Sequence, residues 1–150
     1  MTDSPRYLQP GWLTRNVVNR SVRCLTLMGV SIAGSRELRV RGRSSGEWRT
    51  TPVNVLASGG ERYLVAPRGT TQWVRNLRSA GTGELRVGRR AEAFAATELA
   101  DADKTAILRE YIRRWKWEVG AFFPGLSAES TDAELAAAAP GFPVFRIAAA

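Results

Sequence analysis

The chain has 150 residues, 44% of them hydrophobic and 24% charged, a composition suited to one soluble domain with its own core. It contains no histidine and a single cysteine, Cys24, which excludes Ser-His-Asp and Cys-His catalysis, histidine-ligated zinc and an internal disulfide. The net charge of +8 is uneven, with 16 Lys/Arg against 7 Asp/Glu in residues 1–100 and 6 against 7 in residues 101–150, so the first two-thirds favours an anionic partner: nucleic acid, anionic lipid or a polyanionic small molecule.

Residues 1–5 lack the basic-then-apolar pattern of a signal peptide, and no apolar run reaches the length of a membrane span, so a cytoplasmic protein is expected. Helical spacing of Trp12, Val17, Val18, Val22 and Leu25 predicts an N-terminal helix over about 12–24. The arginines between them leave peripheral membrane contact open. From Glu37 the period changes to two, and Leu38 and Val40 alternate with Arg39 and Arg41 as in a half-buried strand. The Ser44-Ser45-Gly46-Glu47 turn reverses the chain into a second strand, Trp48–Ala57. Pro52 lies inside that strand and, lacking an N–H, belongs at an edge or bulge. Gly59-Gly60 is a hairpin turn before a third strand, Arg62–Ala66.

Thr71 is a plausible N-cap for a short helix, Gln72–Ser79. Two more strands follow, Glu84–Gly88 and Ala91–Thr97, and a small closed barrel would hide the edges of such a sheet. The clearest helix runs from about 102 to 119, with Ile107, Leu108, Tyr111, Ile112 and Trp115 as its apolar stripe. A loop carrying Phe122, Phe123 and Pro124 comes next, whose aromatics can wall a pocket for a flat ligand. Residues 128–139 read as a weak helix or a surface segment, and Phe142–Ile147 as the last strand. The fold expected is mainly β with flanking helices, in one domain over residues 1–150.

Between Arg41 and Val53, three arginines bracket a turn of small residues whose backbone N–H groups can face a ligand, a common way to hold phosphate. With no histidine available, any difficult chemistry would belong to a bound cofactor.

The ordered set Gly42-Arg43-x-Ser45-Gly46-x-x-Arg49-x-x-Pro52, Gly59-Gly60, Val65-Ala66-x-Arg68-Gly69 and Trp73-x-x-Asn76-Leu77 resembles the deazaflavin-dependent nitroreductase family. These are small split β-barrel, FMN-binding-like proteins that bind the 8-hydroxy-5-deazaflavin coenzyme F420. The resemblance implies that Arg43, Ser44, Ser45 and Arg49, assisted by Arg41, hold the phosphate and acidic tail of the coenzyme. Pro52 and Asn54 would lie along the ribityl chain and ring, and Val65, Ala66, Pro67, Arg68 and Gly69 would present backbone N–H groups and a cation. Gln72, Trp73 and Asn76 would close the same wall, with Asn76 alternatively bracing the loop and Trp73 alternatively plain core. Trp12, Phe122, Phe123 and Leu126 would line the substrate pocket, and no metal is implied.

The activity implied is F420H2-dependent hydride transfer to an electron-poor acceptor such as a quinone, an activated α,β-unsaturated carbonyl or lactone, or a nitroaromatic. A separate F420-reducing dehydrogenase would recycle the cofactor. Nitroimidazole-reducing relatives carry tyrosines where this chain has Phe122-Phe123-Pro124-Gly125-Leu126, and the lost hydroxyls favour a quinone or enone. The alternatives are an FMN-binding split-barrel reductase, a cofactor carrier without turnover, and a basic barrel that binds nucleic acid through Arg39, Arg41, Arg43 and Arg49 with Trp48 and Tyr63 as stacking platforms. The reductase reading involves no nucleic acid.

Overall fold

A computed structural model of the chain describes residues 35–119 and 122–150. The helix expected over 12–24, and Trp12 with it, lies outside the described residues. Six antiparallel strands, β1 (Ser35–Arg41), β2 (Trp48–Ser58), β3 (Glu61–Val65), β4 (Thr82–Val87), β5 (Arg90–Glu98) and β6 (Val144–Ala149), close into a barrel in the order β1-β2-β3-β6-β5-β4. Closure comes from β1, which pairs with β2 along its whole length and with β4 at Glu37–Arg39.

Strand alternation sorts the side chains onto two sides of the barrel wall. Leu38, Val40, Val53, Leu64, Leu85, Phe94, Phe145 and Ile147 form the cluster that includes the barrel interior, joined by Val74 and Leu77 of α1 (Gln72–Ala80). A second cluster gathers Leu56, Val65 and Val144 from the opposite faces of their strands. There they meet Ile107, Leu108, Tyr111, Ile112 and Trp115 of α2 (Thr105–Val119) and Leu135 of α3 (Asp132–Ala138). The apolar stripe read in the sequence of α2 is therefore the face that packs on the barrel. Lys104, only 3% exposed, ties this layer together: its Nζ donates to Ala139 O at 3.1 Å and pairs with Asp101 at 2.7 Å.

The segment read as a weak helix is short but well capped. Thr131 accepts from Glu134 N, and the Glu134 carboxylate accepts from Thr131 N, the reciprocal capping box. Those bonds hold the Glu134 carboxyl below its ordinary pKa.

The β2–β3 hairpin determines where the barrel opens. Gly59 and Gly60, at φ 59° and 80°, join the closing pair Ser58 and Glu61, the two-residue turn that needs positive φ at both positions. With that pair hydrogen-bonded, even-numbered residues of β2 turn their N–H and C=O toward β3 and odd-numbered ones toward β1. β3 pairs only with Val55–Ser58. Among the described residues, Thr50 and Pro52 therefore turn their backbone toward an edge that no strand covers, and Pro52 occupies the edge position its missing N–H requires.

Gly83 faces Phe94 inside the barrel, and a Cβ added there would lie 2.8 Å from Phe94 Cζ and 2.9 Å from Arg39 O. Gly83→Ala is expected to destabilise the protein by about 2 kcal/mol, the usual scale of overpacking, read as a lowered midpoint in urea unfolding. The depressed Glu134 pKa predicts that the α3 cap is fully formed above the ordinary glutamate range and is lost as pH falls through the lower folded value. The protection factor of Thr131 N against amide exchange should fall over that acid window and stay constant between pH 6 and 8.

Candidate functional site

The uncovered half of β2, the β1–β2 turn and the start of α1 enclose a cleft of 590 Å³. Among the described residues its wall contains Arg43, Arg49 and Arg68 and no Asp or Glu. Hydroxyls come from Ser44, Ser45, Thr50, Thr51 and Thr71, and the apolar surface from Val40, Pro52, Ala66 and Trp73. Such a site favours an anion carrying an apolar, flat part.

The β1–β2 turn is built to fix one of these arginines. Gly42 N donates to Glu47 O at 2.7 Å and Gly46 N to Gly42 O at 2.9 Å, with Gly46 at φ 73°. Ser45 Oγ accepts from Glu47 N. Asn76 of α1, only 5% exposed, accepts on its Oδ1 from Arg43 N at 3.1 Å and from Arg43 Nη1 at 2.8 Å. Both the backbone and the guanidinium of Arg43 are thus anchored to the helix, which leaves the remaining guanidinium N–H groups oriented before any ligand arrives. Of the two roles open to Asn76, bracing the loop is the one this geometry supports, although Asn76 also forms part of the cleft wall. Trp73 combines its two roles as well, packing at 6.0 Å from Phe145 and lining the cleft.

Several site expectations change. The turn offers fewer backbone donors than its composition implied, because the N–H groups of Gly42, Arg43, Gly46 and Glu47 are spent within it or on Asn76. Arg41 leaves the cleft: its Nη1 donates to Gly46 O at 2.9 Å and its guanidinium stacks 4.3 Å from the Trp48 ring. Arg39 also lies over Trp48, at 4.8 Å, so the ring expected as a nucleic-acid stacking platform is already engaged. Val65 is 2% exposed in the cluster beneath α2, because its neighbour Leu64 takes the inward position.

Asn54, Pro67 and Gly69 also fall outside the cleft lining. The backbone donors expected of Ala66 and Gly69 are used, Ala66 N on Pro143 O and Gly69 N on Ala66 O. The substrate-pocket aromatics do not reach the cleft either. Phe123, 2% exposed, stacks on Phe142 at 4.3 Å and 14° and meets Tyr111 at 6.1 Å, while Phe122 and Leu126 pack on the same cluster. Arg43, Ser44, Ser45, Arg49, Pro52, Ala66, Arg68, Gln72, Trp73 and Asn76 do line one cavity. Thr50, Thr51 and Thr71 join them unanticipated.

The closed six-stranded barrel with helices packed outside and a basic cleft at an unpaired strand edge defines an FMN-binding-like split barrel. Similar solved folds include an F420-H2 dependent reductase (FDR-A), 17% identical with a TM-score of 0.51 over 77% of this chain and 94% of that one. A chain described as a domain-swapped dimer is 17% identical, with a TM-score of 0.56 over 90% and 98%. The heme storage protein HutZ of Vibrio cholerae is 9% identical, with a TM-score of 0.53 over 87% of each chain. No curated protein matches the sequence. The model of the F420H2-dependent quinone reductase family matches residues 13–119. This chain belongs to that family, and is an F420-dependent reductase.

The Arg43–Asn76 anchor can be tested by a double-mutant cycle on F420 affinity. Arg43→Ala and Asn76→Ala should each weaken binding, and the double variant should bind about as weakly as Arg43→Ala alone. The resulting coupling energy should be about 1 kcal/mol, measured from quenching of tryptophan fluorescence.

Proposed function

We propose that this protein transfers a hydride from reduced F420 to a quinone or an activated, conjugated carbonyl compound. The observation that carries the reading is the cleft wall itself: among the described residues, three arginines and no acidic side chain, with Arg43 fixed by Asn76, beside an apolar face that includes Trp73. Arg43, Arg49 and Arg68 suit the phosphate and glutamyl tail, since several charge-assisted hydrogen bonds converging on one polyanion add affinity that isolated surface pairs lack. Thr71 also lines the cleft, and among the described residues its Oγ1 has no hydrogen-bond partner.

Bound there, the reduced deazaflavin supplies a hydride to an acceptor held against it. The protein's part is to orient the ring between Pro52, Ala66 and Trp73 and to exclude water from that surface. Among the described residues no carboxylate, tyrosine or histidine lines the cleft, so the proton that completes reduction of the acceptor comes from solvent. The preference for quinones and enones over nitroimidazoles rests on the family resemblance, since Phe122 and Phe123 pack in the cluster beneath α2 and not in the cleft. We place the enzyme in the cytoplasm, where a separate dehydrogenase recycles the cofactor. Among the described residues no helix is long and apolar enough to cross a membrane.

FMN is the second reading, since it also joins a phosphate to a tricyclic ring. Titration of tryptophan fluorescence should give tighter binding for F420 than for FMN, and the reverse order would exchange the cofactor. Menadione should accelerate oxidation of reduced F420; no acceleration with any quinone or enone would leave a carrier rather than an enzyme. Arg49→Ala should raise the F420 Kd at least about tenfold, or 1.4 kcal/mol.

A further inference from the structure

We infer that Gly42 is a positioning residue: the space its absent side chain leaves free holds the Ser45 hydroxyl beside the Arg49 guanidinium, in the half of the cleft that takes the cofactor's anionic groups. This rests on the cofactor reading above and adds to it a residue with no side chain of its own. Gly46, in the same turn, shows the usual reason for a glycine. Its φ is 73°, and a Cβ added there would meet nothing within 4 Å. Gly42 is the reverse case. It is not at positive φ, so its backbone does not call for a glycine, but a Cβ would lie 2.8 Å from Ser45 Oγ and 3.4 Å from Glu47 O. What keeps a side chain out is the contents of the space.

Strand register explains the crowding. Val40 and Arg49 are directly opposite in the β1–β2 ladder and share one face of it. Position 42 is the next in that row beyond the end of β1, where a side chain would stand beside Arg49. Arg49 Nε lies 3.6 Å from the place of the missing Cβ, and Ser45 Oγ, across the turn, lies nearer still. Ser45 and Arg49 both line the cleft, so two polar atoms of its wall converge on one point above Gly42.

This convergence leaves donors to spare. Ser45 Oγ accepts from Glu47 N at 3.1 Å, which engages a lone pair and leaves the hydroxyl proton to be given elsewhere. Among the described residues the Arg49 guanidinium makes no hydrogen bond or ion pair, whereas that of Arg43 is held by Asn76. An anion bound by Arg49 therefore also meets the Ser45 hydroxyl, adding an O–H···O⁻ bond to the guanidinium contacts. The turn has little freedom to shift and admit a methyl group. Gly42 N donates to Glu47 O at 2.7 Å, and Gly42 O accepts from Gly46 N at 2.9 Å. The soft coordinate is χ1 of Ser45, and a Cβ at position 42 would turn the hydroxyl away from both Glu47 N and the anion. Gly83 supplies the contrast, since a Cβ there meets Phe94 and Arg39 O of the barrel and not the cleft wall.

The test is a double-mutant cycle at positions 42 and 45, with F420 affinity read from tryptophan fluorescence and the ligand-free melting temperature by calorimetry. Gly42→Ala and Ser45→Ala should each raise the F420 Kd about tenfold, the scale of one lost charge-assisted hydrogen bond. The double variant should also lose about tenfold rather than about a hundredfold, because both changes remove the same hydroxyl. The melting temperature of Gly42→Ala should stay within about 3 °C of wild type, since only an exposed turn bond is lost. Gly83→Ala is the structural control, with a lowered melting temperature and an unchanged Kd. An unchanged Kd in Gly42→Ala, losses that multiply in the double variant, or weaker binding with a fall in melting temperature as large as that of Gly83→Ala would each overturn the positioning role while leaving the cofactor reading intact. Failure of the wild-type protein to bind F420 would remove both.

Discussion

The length difference between two adjacent strands governs the architecture of this protein. β2 has eleven residues and β3 five, so among the described residues Trp48–Asn54 pair on one side only. In most small sheets such an edge is a hazard, since its unpaired N–H and C=O groups can recruit another strand. Here the edge is interrupted by Pro52 and overlooked by α1 and the Arg43 turn, and the space between becomes the cleft. The barrel remains closed because β1 reaches around to β4, so the opening does not weaken the sheet that supports it.

The turn and α1 depend on each other across that opening. Asn76 is a buried polar residue in a helix whose neighbours Val74 and Leu77 belong to the core, and its amide oxygen is satisfied by Arg43. Burying an amide without such partners is unfavourable, and an exposed arginine left alone would sample many rotamers. Each residue resolves the other's problem. The outcome is a cation held at a defined place on a loop, which ligand binding alone would otherwise have to order.

Much of this was legible in the sequence, for identifiable reasons. The alternation of Leu38 and Val40 with Arg39 and Arg41, the Gly59-Gly60 turn and the stripe on α2 are local signals, and local geometry decides those elements. Arg43, Arg49, Arg68 and Asn76 were legible as an ordered motif. The direction of the Val65 side chain had a signal in the sequence, because adjacent residues in a strand face opposite ways and Leu64 is the inward one. Phe123 carried no such signal, because its stacking partner Phe142 is distant in sequence. Thr71 read as an ordinary cap, and only the tertiary arrangement reveals a hydroxyl that caps nothing.

The arginines, hydroxyls and amides that line the cleft share a property with consequences for turnover. None of them is a carboxylate, imidazole, phenol or thiol, the groups that exchange protons in catalysis near neutral pH. On the reading proposed above, the protons of the reaction are exchanged by the bound molecules and by solvent, within the positive field of Arg43, Arg49 and Arg68. The protein supplies position and field rather than acid or base, and its rate should track the chemistry of its guests.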